Sequence, residues 1–480
     1  MASLETHGTS SHIFMKLLEK LDGNQHIKTI RNHLDGLSKT HNEIEEETQS
    51  EKFLSWARYE KNIKIIGADV PSGILPSGKD GQLLDVKVFV RNGPDDAVYD
   101  NNKAIRDRVA RGNSFLQLNS GRTFCVLQAM KKFTGGLGDD DDREAGDMMV
   151  WEKYFTKPFK EADHVVSTEK ANGEAAHLSC FRLDGQLILC GGSKNVHLLF
   201  NTRKDIDLYV ESRYRIATEI CHSVMDYMEG LSEEARTDIL EFLADSRYTA
   251  VFEILSPAHQ HVVNLSHLKR PVLKFISWTR CELEPSEKLE HLNVVPPQVG
   301  IEIAQCLGLD PISYKIVHMK DLDEHMKKVR QGRNVEGEVL YFLDKQGQVI
   351  GLLKKKSVWY IVCRAIREKV KRAVNQSKQN PDKFSLSRHL HLVERRMKEI
   401  QKWLNLDHQT TQEWTELGSK CVKWALHAVE QDTLPMSEVQ DLFPVYWSRF
   451  LKETDNSDLI NVGEEVMISG DQSKEGACAS

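Results

Sequence analysis

The chain has no cysteine pair of the C-x-x-C kind. Its nine cysteines are scattered through 480 residues without regular spacing. The start, MASLETHGTSSHIFMKLLEK, lacks a basic segment leading into a long apolar run, so no export signal is read there. Together these exclude a secreted disulfide framework and predict reduced, mostly buried thiols, with the cytosol or nucleus as the expected location. No apolar stretch reaches the roughly 18 residues a spanning helix needs, so no membrane is expected as a partner. Only Ala479 and Ser480 follow Cys478, one residue too few for a prenylation box. A dominant charge is missing too. Lys and Arg number 64 against 71 Asp and Glu, a net charge of −7 with a pI near 6.3, so global charge does not advertise nucleic-acid binding. The glycines after Lys132 do not form G-x-G-x-x-G, and no internal repeat is found.

What is present is ordinary in bulk: 40% hydrophobic and 28% charged residues, in a chain long enough for two or three domains. Residues 1–62 carry apolar residues at three- and four-residue spacing and predict a helical N-terminal appendage. From residue 63 the pattern turns to strands, with NIKIIGADV and LLDVKVFVR separated by a Pro/Gly/Ser loop. Residues 203–247 read as helical. Strands are expected again in YTAVFEILS, HVVNL, PVLKFISWTR and EGEVLYFLDKQGQVIGLLKKKSVWYIV, the last a hairpin across D-K-Q-G. A β-rich domain over 63–362 is therefore followed by helices over 363–452 and a polar, disordered tail over 453–480. The helical stretch 364–402 holds twelve Lys/Arg against four Asp/Glu. Asp139 to Asp142 read as a solvated loop, because neighbouring side chains point different ways and cannot share one metal. His259 and His261 lack further metal-spaced partners and read as structural, and His389 and His391 as helix surface.

The chain is organised around Glu169-Lys170-Ala171-Asn172-Gly173. ADHVVST before it and EAAHLSCF after it read as strands, and Gly173 permits a tight turn that leaves Lys170 at the mouth of a hairpin-like unit. A lone lysine there is a solvated turn residue or a nucleophile. To attack phosphorus its amine must be neutral, about three pKa units below the usual lysine value, or about 4 kcal/mol. Nearby cations, partial burial and a divalent metal would provide that shift, and carboxylates would hold the metal or its waters. The sequence offers these groups in order: Arg111 beside Gly112, Lys132 after a strand, Lys194 after a double-glycine bend, Glu253 within a β-rich run, Glu336 opening the late hairpin, and Lys354 and Lys356 on one face of its return strand.

K-A-N-G, followed by S-K-N, F-E-I-L-S, V-E-G-E-V-L-Y and K-K-K-S-V-W-Y, resembles the covalent nucleotidyltransferases over about residues 105–362. More narrowly, the series is similar to phage-type RNA ligase 1, to the ligase domain of fungal and plant tRNA ligases, and to the chordate-type 5′–3′ RNA ligases. The resemblance implies an α+β fold: an antiparallel-sheet nucleotidyltransferase core with the N-terminal helices and an all-α C-terminal domain that contacts RNA. It implies ATP with Mg²⁺ (or Mn²⁺), and Lys170 as the AMP-bearing nucleophile. Glu169, Asn172 and Gly173 would line the nucleotide, and Arg111 and Lys132 would bind its β- and γ-phosphates. Lys194 and Glu253 would sit near the ribose, Glu336 on the metal or its water shell, and Lys354 and Lys356 on the α-phosphate. The partner would be RNA bearing 5′-phosphate and 3′-hydroxyl ends, joined by a monomer. End-healing kinase and phosphodiesterase activities have no counterpart in the chain and would come from other proteins.

The family's K-F-F is replaced here by Lys132-Phe133-Thr134, with Glu152-Lys153-Tyr154-Phe155 as a second match, so Lys153 competes with Lys132. Two other classes share the resemblance. A capping-type guanylyltransferase or a DNA ligase uses the same core but carries a β-rich OB-fold where this chain reads helical. A catalytically silent RNA-binding protein would keep the fold without the chemistry.

Overall fold

The computed structural model describes residues 11–37, 43–91, 93–136, 139, 150–283 and 291–456. In chain order, helices α1 (His12–Lys20), α2 (Ile27–Leu37) and α3 (Glu43–Tyr59) precede strands β1 (Ile63–Asp69) and β2 (Gly81–Val88). Short helices α4 (Asp96–Asn101) and α5 (Lys103–Arg108) lead to β3 (Asn113–Leu118) and β4 (Thr123–Gln128), then to β5 (Thr134–Gly135) and β6 (His164–Glu169). Three strands follow, β7 (Glu174–Leu183), β8 (Gln186–Ser193) and β9 (His197–Phe200). Helices α6 (Arg203–Ile206), α7 (Arg215–Glu229) and α8 (Glu233–Ser246) come next, before β10 (Thr249–Leu255) and β11 (Val272–Thr279). Helix α9 (Pro297–Cys306), β12 (Tyr314–His318), α10 (Leu322–Arg330), β13 (Gly337–Leu343) and β14 (Val349–Lys356) complete the β-rich part. The remainder is helical: α11 (Val358–Gln379), α12 (Leu386–Leu404), α13 (His408–Glu430), α14 (Met436–Asp441) and α15 (Phe443–Glu453).

The molecule is thus α+β, with antiparallel sheets and a C-terminal helical region. Among the described residues the strands form three sheets, ordered β1-β2-β3-β4, β11-β10-β7-β8-β9 and β12-β6-β13-β14-β5. The one parallel pairing in them sets β5 beside β14. No described helix is long and apolar enough to cross a membrane.

The N-terminal helices are part of the core. The 3.6-residue period of α1 and α2 turns Ile13, Phe14, Leu17, Ile30 and Leu34 into the apolar cluster that also holds Ala171, Leu178 and Phe252. Phe14 meets the edge of Phe242 on α8 with ring centres 6.1 Å apart. Phe14→Ala should therefore cost about 3–5 kcal/mol of stability, read as a lowered urea midpoint with an unchanged slope. Helices α11 to α15 bury a separate cluster around Ile366, Val370, Cys421, Val422 and Phe450.

Several local expectations are corrected. HVVNL is not a strand, because its amides at Val262 and Val263 are taken by the Asn172 side chain instead of a ladder. Gly191 and Gly192 lie within β8, and the bend falls at 194–196. The late hairpin forms as expected across 344–348, but its second strand stops at Lys356. Ser357 then caps α11 by accepting from the Tyr360 amide, so V-W-Y-I-V is helix and the helical part starts at Val358. Asp139 is no solvated residue. It is 1% exposed, takes two hydrogen bonds from the Arg330 guanidinium (2.5 and 2.8 Å) and one from the Lys356 amide (2.7 Å). Asp140 to Asp142 and the tail from residue 457 lie outside the described residues. His389, read as helix surface, is buried, its Nε2 donating to Gln376 Oε1 (2.9 Å) and its ring stacked on Phe384. His391 is exposed as expected.

Candidate active site

Strands β6 and β7 do not pair with each other. They belong to different sheets, so residues 170–173 form the crossing between two sheets and not the turn of a hairpin. The crossing is held at Lys170, Asn172 and Gly173. The Lys170 amide donates to the Gly337 carbonyl (3.0 Å), and its ammonium meets Glu336 Oε1 at 2.9 Å. Asn172 Nδ2 donates to Glu336 Oε2 (2.6 Å) and to the Tyr360 hydroxyl (3.2 Å), while its Oδ1 accepts from the Val262 and Val263 amides (3.1 Å each). The Gly173 amide donates to Glu253 Oε1 at 2.9 Å. A Cβ at Gly173 would lie 2.1 Å from the Ile254 carbonyl oxygen. Glycine is required here by close approach to β10 rather than by a tight turn.

The crossing brings together residues 83 and 166 positions apart in the chain, Lys170 with Glu253 and Glu336. Lys356 Nζ lies 4.0 Å from Glu336 and 5.5 Å from the centre of the Tyr360 ring. Lys354, two residues earlier on β14, faces the Phe133 ring at 5.0 Å. Asn172, expected to line a nucleotide, has its donors and acceptor committed to protein partners and acts as the knot that ties the crossing to β13 and α11. Glu169 is exposed at the end of β6, where its carboxylate accepts from Ser313 Oγ at 3.4 Å.

The electrostatics differ from the sequence expectation. Burial alone would depress the Lys170 amine, but Glu336 and Glu253 outweigh it and hold its pKa above the ordinary lysine value. The side chain is 20% exposed, so the ammonium is neither fully solvated nor free of its partners. The protein's own groups keep this lysine protonated. For Glu336, burial opposes ionisation, yet Lys170 and Lys356 and the bonds from Lys170 and Asn172 win, and the carboxyl sits below its usual range. Glu253 is the reverse case: burial dominates and lifts it to about 6 against the pull of Lys170.

A raised acid of this kind favours the folded state at low pH. The contribution is full below the unfolded value near 4.5 and is lost as pH rises through about 6. Glu253→Gln should remove that slope, about 2 kcal/mol across the window, in denaturant titrations at pH 4.5 and pH 7.

A second set of cations lies on neighbouring turns. Arg111 Nη2 bonds Asp95 Oδ1 at 2.7 Å, and Lys132 is hydrogen-bonded to Asp96. The Lys194 amine is pushed down by burial and then by Arg111 and Lys132, which offset the pull of Asp95 and Asp96. Three cations from three separate strand ends therefore feel one another. Lys194, assigned by resemblance to the ribose, lies within the field of Arg111 and Lys132. Lys153 lies exposed on the one-turn helix Val150–Tyr154, whereas Lys132 is buried beside Asp96.

Sequence reasoning missed Asp95 and Asp96, which pair with Arg111 and Lys132, and Tyr360, whose signal was the Ser357 cap three residues before it. It also missed Ser167, His325 and Glu338 on β6, α10 and β13. These are no nucleophile relay: the same nitrogen, His325 Nε2, faces both Ser167 Oγ (3.1 Å) and Glu338 Oε2 (2.8 Å), whereas a relay needs one partner on each ring nitrogen.

No group of three or more His, Cys, Asp or Glu gathers as a metal centre among the described residues. Glu336 and Glu253 supply two carboxylates, a donor set that fits Mg²⁺ carried mainly by substrate phosphates and water. Comparison with curated proteins finds no match. A family model, described as a domain of unknown function, matches residues 80–367, which include every residue placed in this site. The chain belongs to that family, DUF7920.

Proposed function

We propose that this chain is an ATP-dependent 5′–3′ RNA ligase built on a covalent-nucleotidyltransferase core. The observation that carries the reading is the gathering of Lys170, Glu253, Glu336 and Lys356 at the crossing between two sheets, with Arg111, Lys132 and Lys194 on the adjoining turns. Lys170 Nζ attacks the α-phosphorus of ATP, a P–N bond forms, and the P–O bond to pyrophosphate breaks. The adenylyl group then passes to an RNA 5′-phosphate oxygen. A 3′-hydroxyl displaces AMP to close the phosphodiester.

Each residue has a task. Arg111, Lys132 and Lys194 clamp the departing pyrophosphate, and Lys354 and Lys356 neutralise charge at the α-phosphate. Glu336 orients the Lys170 amine and can accept its proton. Bound Mg²⁺ would add positive charge beside the amine and so oppose the carboxylates that hold it protonated. The RNA reaches the site past α11 and α12. Lys369 there is pushed down by burial and by the crowding of Arg396, Arg372 and Arg395, a cation density suited to phosphodiesters. End-healing would come from separate enzymes.

The test is incubation of the full chain with Mg²⁺ and α-labelled ATP, then addition of 5′-phosphorylated RNA. Label moving from protein to RNA, followed by circles or joined strands, supports the proposal. Labelling by GTP in place of ATP would favour a capping guanylyltransferase. Binding of RNA with no protein label under any nucleotide would leave the silent RNA-binding reading.

A further inference from the structure

Beneath the second set of cations lies a buried polar network that the reaction does not use directly. Asp85 on β2, Ser114 on β3, His177 on β7 and His197 on β9 are each no more than 9% exposed. Asp85 accepts from Ser114 Oγ (2.6 Å), from the His197 amide (3.2 Å) and from His197 Nδ1 (2.8 Å). Ser114 Oγ also lies 2.8 Å from His197 Nδ1. His197 Nε2 meets His177 Nδ1 at 3.1 Å, with the two rings stacked. The network therefore runs from the first sheet into the second and ends on His177.

His177 adjoins both the Arg111 turn and the end of β8 that leads to Lys194. On one side is the Arg111 turn. Gly112 there has φ +129°, and a Cβ on it would lie 2.6 Å from His177 Cε1 and 2.7 Å from His177 Nδ1. On the other side His177 pairs with Gly192 on β8, two residues before Lys194. Burial and the neighbouring His197 hold the His177 pKa well below the usual histidine range, so the ring is a neutral wedge between two positively charged turns. Arg111 and Lys194 repel each other, and they keep their spacing only if the backbone beneath them is fixed.

We propose that His177, held by His197 and Asp85, is a positioning residue that sets the gap between Arg111 and Lys194 and thereby the affinity of the site for a polyphosphate. This deepens the nucleotidyltransferase reading and rests on it. None of the three network residues would touch the substrate. Their effect passes through the backbone of the two turns.

The experiment measures binding of inorganic tripolyphosphate and, separately, of adenosine to the full-length chain and to His177→Gln, with the unfolding midpoint of each protein as a control. We expect tripolyphosphate binding to weaken at least tenfold while adenosine binding changes less than twofold. A purely structural role would lower the midpoint and weaken both ligands alike. If His177→Gln binds tripolyphosphate as tightly as the parent, the positioning role is overturned and the nucleotidyltransferase reading is untouched. If the parent chain binds neither ATP nor tripolyphosphate, that reading fails and takes this one with it. Should His177→Gln not fold, Gly112→Ala, which presses on the same ring from the opposite turn, is expected to give the same selective loss, and equal tripolyphosphate affinity there overturns the role.

Discussion

Lys170→Ala should carry no label after incubation with Mg²⁺ and α-labelled ATP, and no AMP should pass to RNA. The loss is expected to be complete because no other lysine lies in the crossing between the sheets. Lys356 is 4.0 Å from Glu336, but it comes from β14 and faces the Tyr360 ring. Removing Lys170 also leaves Glu336 buried with fewer partners, so the alanine variant should lose roughly 1–3 kcal/mol of stability. Lys170→Arg separates the two effects. It keeps a cation for Glu336, so the fold is retained, but a guanidinium does not lose its proton in a protein and cannot attack phosphorus. The expected result is a stable, unlabelled protein. Label retained on either variant would remove Lys170 from the nucleophile's role.

Glu336→Gln should slow labelling by about 10–100-fold at saturating Mg²⁺, the scale on which groups that orient or support a metal act. Its pH profile should move as well, and the sign is fixed. Among the attractions that raise the Lys170 pKa, the one from Glu336 is the largest. Neutralising it lets the amine lose its proton more easily, so half-maximal labelling falls at lower pH in the variant than in the parent. Slower chemistry with an acid-shifted midpoint is the paired signature. A basic shift, or a parental rate, would place Glu336 outside the reaction. Glu253 predicts a weaker and different effect, since it binds the Gly173 amide and its carboxyl is raised to about 6 by burial.

Both variants bear on the same physical point. In the protein alone the Lys170 amine is paired with Glu336 and held protonated, the opposite of what the proposed nucleophilic attack requires. The sequence expectation surrounded Lys170 with compensating cations, whereas the groups that act most strongly on its amine are the carboxylates of Glu336 and Glu253. That ranking depends on distance: Glu336 stands at 2.9 Å from the ammonium, while Arg111, Lys132 and Lys194 stand on other turns. The work of freeing the amine therefore falls to the substrate complex.

Period and composition were enough to mark the helices around 12–37, 203–247 and 363–452 and most of the strands, because amphipathic repeats and turn residues are local properties of the chain. The order of charged motifs names Lys170, Glu253, Glu336 and Lys356, which the structure brings together, and Lys354, which faces Phe133. The sequence did not determine that β6 and β7 lie in different sheets, that Gly173 is required by the Ile254 carbonyl, or that Asn172 bonds Glu336, Tyr360 and the Val262 and Val263 amides. Asp139 read as part of a solvated loop and His177 went unremarked, and only their partners, Arg330 and His197, give them meaning. The reason is common to all of these. Strand pairing and buried polar bonds join residues tens to hundreds of positions apart, and the free energy of such contacts has no counterpart in local sequence pattern.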